Sequence, residues 1–128
     1  GQNVVVMGDI NDGFELDFYE NRFAKSAVEI LLGDLWRPEW ILKTALPKPR
    51  LNAGGYVPYS GKFKDRITRD EFTILIDHIL LSQGIKLIKG EIWNPQTEKS
   101  NPQIQNLKHA LNSVSDHFPV SAEVEIIT

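Results

Sequence analysis

An aspartate inside a long, largely apolar run is the feature that most constrains the fold of this chain. Asp77 separates residues 72–76 from residues 79–81, which are rich in isoleucine and leucine, and the whole run predicts one buried strand. A carboxylate there requires a partner, because burying an unpaired charge is costly. His117 is the natural partner, since a bound carboxylate fixes the imidazole tautomer and directs the other nitrogen outward. The alternative is an aspartate that only caps a strand end.

The rest of the chain alternates between strand and helix patterns, which predicts a mixed α/β (α+β) domain. Residues 4–7 form an apolar run, β-branched at three positions, that is typical of a buried strand. A helix is predicted to begin at Asp12, which forms a capping-box pair with Glu15, and to end at Gly33. Apolar residues recur at helical spacing along this segment. Further elements are predicted as strands over 85–93 and 120–126 and as one or two helical turns over 104–111.

Two segments are predicted to be loops, one because it is rich in proline and glycine and the other because it is polar and contains proline. The longer covers residues 38–61, with a short helix near Ile41, and the shorter is a surface loop over 94–101. No apolar run approaches the roughly 20 residues of a membrane-spanning helix. The chain has no cysteine, which excludes disulfides and thiolate metal sites. Any metal would therefore be a hard cation held by oxygen and imidazole.

One stretch of the chain is strongly basic although the whole carries a net charge of −3. Between Arg37 and Arg69, eight basic residues face two acidic ones, a local net charge of +6, and aromatic residues are interleaved. One interpretation is a surface that holds a phosphate backbone and stacks on bases, with Lys62, Lys64 and Arg66 as candidate substrate-binding residues. The other is a solvated loop whose aromatic side chains pack inward.

Polar clusters stand at the ends of the predicted strands. Asp9 and Asn11 follow the first strand, where a carboxylate can hold a metal ion or the attacking water and an amide can donate to a phosphoryl oxygen. Asp116 and His117 precede the last strand. Ordinary turn chemistry is the alternative for both clusters, but their order and type favour a functional site. His78 points away from Asp77 on a strand and is predicted to be structural or exposed.

These clusters carry a resemblance to a known family. The segments GDIN at 8–11, IDHILLS at 76–82 and SDHFPV at 115–120 resemble the C-terminal half of the endonuclease/exonuclease/phosphatase superfamily, the deoxyribonuclease-like phosphoesterases. The resemblance covers nearly the whole chain. It implies that residues 1–128 are the C-terminal segment of one such domain, with the N-terminal half outside this chain. The implied fold is half of a four-layered α/β/β/α sandwich, with a mixed β-sheet and covering helices.

The resemblance also implies a role for each cluster. Asp9 would hold or activate the attacking water and contribute to the metal site, and Asn11 would stabilise the pentavalent phosphorus centre. Asp116 would help bind the divalent metal, Mg²⁺ or Mn²⁺. His117, oriented by Asp77, would contact the scissile phosphate. The principal metal-binding glutamate of the family would lie in the other half, so the chain alone is expected to be inactive or nearly so.

The expected activity is metal-dependent hydrolysis of a phosphoester, as in a nuclease-like phosphodiesterase. A phosphatase or a phospholipid phosphodiesterase is the alternative within the same chemistry, because basic loops suit those substrates as well as nucleic acid. The alternative of another class is a non-catalytic, self-associating interaction module. Half of a sandwich would leave one sheet face apolar and exposed, and such a face favours homo-oligomers.

Overall fold

The computed structural model describes residues 2–14, 25–52 and 55–127, and these form a mixed, strand-rich α+β fold. The strands are β1 (Val5–Asp9), β2 (Lys43–Thr44), β3 (Arg50–Asn52), β4 (Gly55–Val57), β5 (Gly61–Lys64), β6 (Glu71–Ile74), β7 (Asp77–Leu81), β8 (Ile85–Ile92) and β9 (Val120–Ile126). The helices are α1 (Ala27–Leu32), α2 (Pro102–Asn106) and α3 (Lys108–Ser113), with a 3₁₀ turn at Pro38–Trp40.

Four small antiparallel sheets make up the β-structure of the described residues. One has the order β1-β7-β2, and the others are the pairs β3-β4, β5-β6 and β8-β9. The predicted mixed sheet is not seen among these pairings, all of which are antiparallel, and the four-layered arrangement stays a prediction. No described helix is long and apolar enough to cross a membrane.

The first strand forms where it was predicted, but the prediction that it is buried is wrong. β1 pairs only with β7 within the described chain, so it is an edge strand. Val5 is 46% exposed and Met7 is 67% exposed. The apolar run therefore presents one face to solvent, and β7 is the buried centre of the sheet, with Leu80 and Leu81 inaccessible.

The run predicted as one strand over 72–81 is two strands that belong to different sheets. β6 pairs with β5, whereas β7 pairs with β1 and β2. The chain leaves the ladder at Leu75 and Ile76, where the Ser60 hydroxyl accepts hydrogen bonds from the backbone of Ile76 and Asp77. Asp77 is thus the first residue of β7 rather than an interruption within a strand. A serine hydroxyl distant in sequence is not predictable from the apolar pattern.

The first helix is shorter than predicted within the described residues. Asp12 is not its N-cap. α1 begins after Ser26, whose hydroxyl accepts from the Glu29 amide while the Glu29 carboxylate accepts from the Ser26 amide, a complete capping box. The predicted helical residues 15–24 lie outside the described residues. The predicted end is confirmed, because Gly33 follows α1 with a φ of 98°, a left-handed conformation suited to glycine.

The other predicted elements form, and the loops hold more structure than predicted. β8, β9, α2 and α3 confirm the predictions for 85–93, 120–126 and 104–111. The 3₁₀ turn ends next to Ile41, whereas the strands β2, β3 and β4 within 38–61 were missed. In the predicted surface loop Asn94 is fully buried. The main apolar core contains Ala45, Leu46, Leu75, Ile79, Leu81, Ile85 and Ile92.

Candidate active site

The pairing of β1 with β7 brings two carboxylates together. Asp9 ends β1 and lies directly opposite Asp77, the first residue of β7. Residues opposite each other in an antiparallel pair project from the same face, with Cβ atoms about 4.5–5.5 Å apart. Like charges at this position destabilise a sheet, so the pair requires a positive partner. Asp9 is exposed and Asp77 is half-buried.

His117 supplies a group that faces both carboxylates. Its Nδ1 lies 2.9 Å from Oδ2 of Asp77, and both side chains are half-buried. The predicted pairing of Asp77 with His117 is therefore present. A carboxylate at this distance makes Nδ1 the proton-bearing nitrogen of the neutral ring, since a carboxylate only accepts. Nε2 is then the nitrogen left for a substrate.

Asp9, Asp77 and His117 together form a cluster that is compatible with a divalent cation. One ligand atom from each residue lies within 4.8 Å of the others. Two carboxylates and an imidazole suit several hard or borderline cations, and the set does not by itself select Mg²⁺. Exposed acidic groups also occur together without a metal. Asp116, the other predicted metal ligand, is exposed and lies outside this cluster of three.

Turn hydrogen bonds hold the loops that carry Asp9 and His117. Oδ1 of Asp9 accepts from the Asn11 amide at 2.8 Å, and Asn11 adopts a left-handed φ of 56°. The hydroxyl of Ser115 accepts from the His117 amide at 3.1 Å and lies 3.4 Å from Oδ1 of Asp116. Ordinary turn chemistry is therefore present in both clusters. It fixes the loops, and it leaves the predicted roles of Asn11 and Asp116 untested.

Ser60 is a site neighbour that sequence reasoning missed. It is fully buried, and its hydroxyl accepts from the amides of Ile76 at 3.2 Å and Asp77 at 3.1 Å. Its carbonyl accepts from the Phe118 amide at 2.7 Å, and the next residue, Gly61, forms a β-bridge with His117. A single serine in a loop has no pattern that marks it, because only tertiary contacts reveal its partners.

The predicted substrate-binding residues lie on the β5-β6 hairpin, which begins beside His117. Lys62 directly follows Gly61, the bridge partner of His117, and its Nζ lies 5.8 Å from the centroid of the Tyr59 ring. Lys62 and Lys64 are exposed and share one face of β5, since strand side chains alternate. Arg66 is exposed in the turn after β5. The basic side chains of the hairpin thus begin next to the site and continue away from it along β5.

Some aromatic side chains of the basic stretch pack inward, as one interpretation predicts, and others are exposed, as the other predicts. Tyr59 is buried and packs near Phe118, with ring centroids 6.1 Å apart. Trp36 is 91% exposed, and Trp40, also exposed, lies under the Arg37 guanidinium at 4.6 Å. Phe63 is exposed and stacks on Phe72 of the same hairpin. Part of the stretch therefore packs inward, and part presents aromatic surface to solvent.

His78 is buried on the other face of β7 and has a structural role, as predicted. Its Nε2 lies 2.8 Å from the Asp12 carbonyl oxygen, and its ring meets Phe14 edge-on with centroids 5.4 Å apart. Among the described residues, Nδ1 of His78 has no hydrogen-bond partner. The contact with Asp12 ties the segment after β1 to the sheet. His78 is thus separate from the cluster of Asp9, Asp77 and His117.

No protein-family model, no curated protein and no solved structure matches this chain. Only the chemistry of the site itself bears on its function.

Proposed function

We propose that this chain carries part of the active site of a metal-dependent phosphoester hydrolase of the endonuclease/exonuclease/phosphatase type. The observation that carries the proposal is the convergence of Asp9, Asp77 and His117 from three separate segments at one end of the β1-β7 pair. Carboxylates at this spacing with a carboxylate-bound imidazole supply a base, a cation site and a phosphate contact in one place.

Each residue of the cluster has a role in the proposed reaction, and the two carboxylates would also hold the cation. Asp9 accepts a proton from the attacking water, whose oxygen bonds to phosphorus as the bond to the leaving oxygen breaks. The leaving oxygen is protonated from solvent. His117, held by Asp77 through Nδ1, directs Nε2 to a phosphoryl oxygen. Asn11 donates from its side-chain amide to the phosphoryl group as negative charge develops.

The cation of the proposal is Mg²⁺ or Mn²⁺, held by Asp9 and Asp77 with Asp116 as a further candidate ligand. Two carboxylates opposite each other on neighbouring strands fit such an ion, because it would relieve their mutual repulsion. When bound, a divalent ion supplies charge stabilisation at the phosphoryl group and a more acidic water. The same proposal includes the four-layered α/β/β/α architecture of the family.

The substrate of the proposal is a polyanionic phosphoester, with nucleic acid as the leading example. Lys62 and Lys64 project from one face of β5, roughly 3 Å and 10 Å along the strand from Gly61, the residue that bridges to His117. A phosphate chain held at the site would pass these cations. Arg66 would extend the contact to the turn of the hairpin.

Metal binding to the purified chain tests the proposal without requiring turnover. We expect Mn²⁺ to broaden the amide resonances of Asp9, Asp77 and His117 in NMR spectra before those of distant residues. Asp9→Asn should abolish this selectivity, whereas Glu123→Gln, a change at an exposed acid on β9, should preserve it. We expect little or no hydrolysis of bis(p-nitrophenyl) phosphate by the chain alone, with or without Mn²⁺, so metal binding is the readout. Uniform broadening in the unmodified chain would refute the metal site.

A second candidate function is self-association through an apolar groove between the exposed edge strand β1 and β9. The groove has a volume of about 300 Å³. It is lined by Val5, Met7, Ile79, Leu81, Val120, Ser121, Ala122 and Val124. Apolar grooves of this kind favour association. A second copy of the chain is the occupant that we propose, and the oligomeric state in solution tests it.

A further inference from the structure

Ser60 contacts both segments that carry the Asp77–His117 pair. We infer that Ser60 is a positioning residue, whose hydroxyl sets the direction of the Asp77 carboxylate and thereby the tautomer of His117. The catalytic meaning of this role rests on the proposed function. The structural part of the inference is independent of that function, since the tautomer of His117 is measurable without substrate or metal.

Between β6 and β7, the Ser60 hydroxyl takes the place that a strand partner's carbonyl would have in a sheet. Its hydroxyl oxygen accepts from two consecutive amides, Ile76 at 3.2 Å and Asp77 at 3.1 Å. Ser60 is 0% exposed, so bulk water does not reach this oxygen. Fixing the Asp77 amide restricts the orientation of the Asp77 Cα–Cβ bond. The carboxylate is thereby held toward His117 rather than free to turn with a mobile strand end.

The backbone of Ser60 fixes the other half of the pair. Its carbonyl accepts from the Phe118 amide at 2.7 Å, and its amide donates to the Ile74 carbonyl at 3.1 Å. Gly61 continues the contact by bridging to His117. One residue therefore sets the separation of the two segments whose side chains meet at 2.9 Å.

The segment after Asp9 is hydrogen-bonded to the same stretch of backbone that Ser60 contacts. The Ile76 carbonyl accepts from the Ile10 amide at 2.9 Å, one residue after Asp9. The peptide group between Ile76 and Asp77 is thus held at both ends, because its N–H donates to Ser60 and its C=O accepts from Ile10. Loss of the Ser60 hydroxyl would loosen this junction without removing any side chain of the cluster itself.

The nitrogen-15 shifts of the His117 ring measure the proposed effect directly. In the unmodified chain, at a pH where the ring is neutral, we expect the Nδ1–H tautomer to dominate. In Ser60→Ala the ratio of Nδ1–H to Nε2–H should fall about fivefold, as expected when one hydrogen bond is weakened. Ser60→Thr keeps the hydroxyl and should restore the ratio. A serine that only stabilises the fold would lower the unfolding midpoint and leave this ratio unchanged.

Ser82→Ala is the control, because the Ser82 hydroxyl also accepts from a backbone amide, that of exposed Val4, but at the far end of the β1-β7 pair. It should leave the His117 ratio unchanged. If Ser60→Ala does not fold, Ser60→Cys keeps the volume with a weaker acceptor and should lower the ratio. An unchanged ratio in a folded Ser60 variant overturns the inference. A normal tautomer without Mn²⁺ binding would instead contradict the proposed function alone.

Discussion

Nδ1 of His117 lies 2.9 Å from Oδ2 of Asp77, although 40 residues separate them in the chain. The contact forms where β7 begins, and both side chains are half-buried. A partly desolvated carboxylate favours the imidazole orientation in which Nδ1 bears the proton. Nε2 of His117 is therefore the ring nitrogen left for a substrate.

Removal of either partner of this pair should impair phosphoester hydrolysis more than folding. We expect Asp77→Asn or His117→Ala to lower metal-dependent turnover by about 10²-fold to 10³-fold, the range for loss of one donor that stabilises charge in the transition state. Steady-state kinetics with a generic phosphodiester measures the change, with the proposed N-terminal half added if the chain alone is inactive. Asp70→Asn, at an exposed acid of the β5-β6 turn, is the control. Near-normal turnover of either variant with an intact fold would contradict the assignment.

Lys62 should contribute more to polyanion binding than lysines distant from the site. We expect Lys62→Ala to weaken binding of a labelled single-stranded oligonucleotide and to reduce the slope of affinity against salt by about one. Fluorescence anisotropy at several salt concentrations measures both quantities. Lys86→Ala provides the comparison. Lys86 lies at the start of β8, and among the described residues this exposed lysine pairs only with exposed Glu125. Equal slopes for the two variants would exclude a specific role for Lys62.

Asp65 should make the turn of the β5-β6 hairpin sensitive to acid. The amides of Thr68 and Ile67 donate to its carboxylate, and they hold the pKa of Asp65 below its usual value. A lowered pKa means that the stabilisation is present above the unfolded pKa, about 3.9. It is lost as the pH falls through the folded value.

The pH dependence of Asp65→Ala tests this directly. At neutral pH the variant should melt at a lower temperature than the unmodified chain. The difference in melting temperature should shrink as the pH falls below about 3.9. Circular dichroism at a series of pH values follows the difference. A gap that stays constant with pH would show that the ionised carboxylate contributes nothing to the turn.

The sequence patterns were sufficient for elements whose partners lie nearby or whose periodicity is strong. β8 and β9 follow from alternating and apolar runs, and the end of α1 follows from Gly33. The Asp77–His117 contact was also predictable, because an acid beside a long apolar run requires a partner and few imidazoles are available. These features depend on local propensity and on the cost of unpaired charge.

Other features were set by tertiary contacts that the sequence does not display. The division of 72–81 into β6 and β7 depends on the Ser60 hydroxyl. The exposure of β1 depends on which sheet face is covered. An apolar run specifies the capacity for burial, whereas burial itself requires an opposing surface. The predicted roles of Asn11 and Asp116 need a bound phosphate or cation to be tested.

The exposed side chain of Met7 provides the test of self-association. Met7 is 67% exposed and lines the groove between β1 and β9. If copies of the chain associate through this groove, Met7→Glu should shift the monomer–oligomer equilibrium toward monomer, because burying an unpaired carboxylate at the interface is unfavourable. Sedimentation velocity over a range of concentrations measures the shift. The melting temperature should change little, since the residue is largely solvated in the single chain.

Ile67→Glu is the control for Met7→Glu, because Ile67 is 92% exposed in the β5-β6 turn and is not among the groove-lining residues. Both variants add one carboxylate to an exposed apolar position. A shift toward monomer in the Met7 variant alone would locate the interface at the groove. Equal shifts would indicate a general charge effect, and a chain that is monomeric at all concentrations would exclude this association.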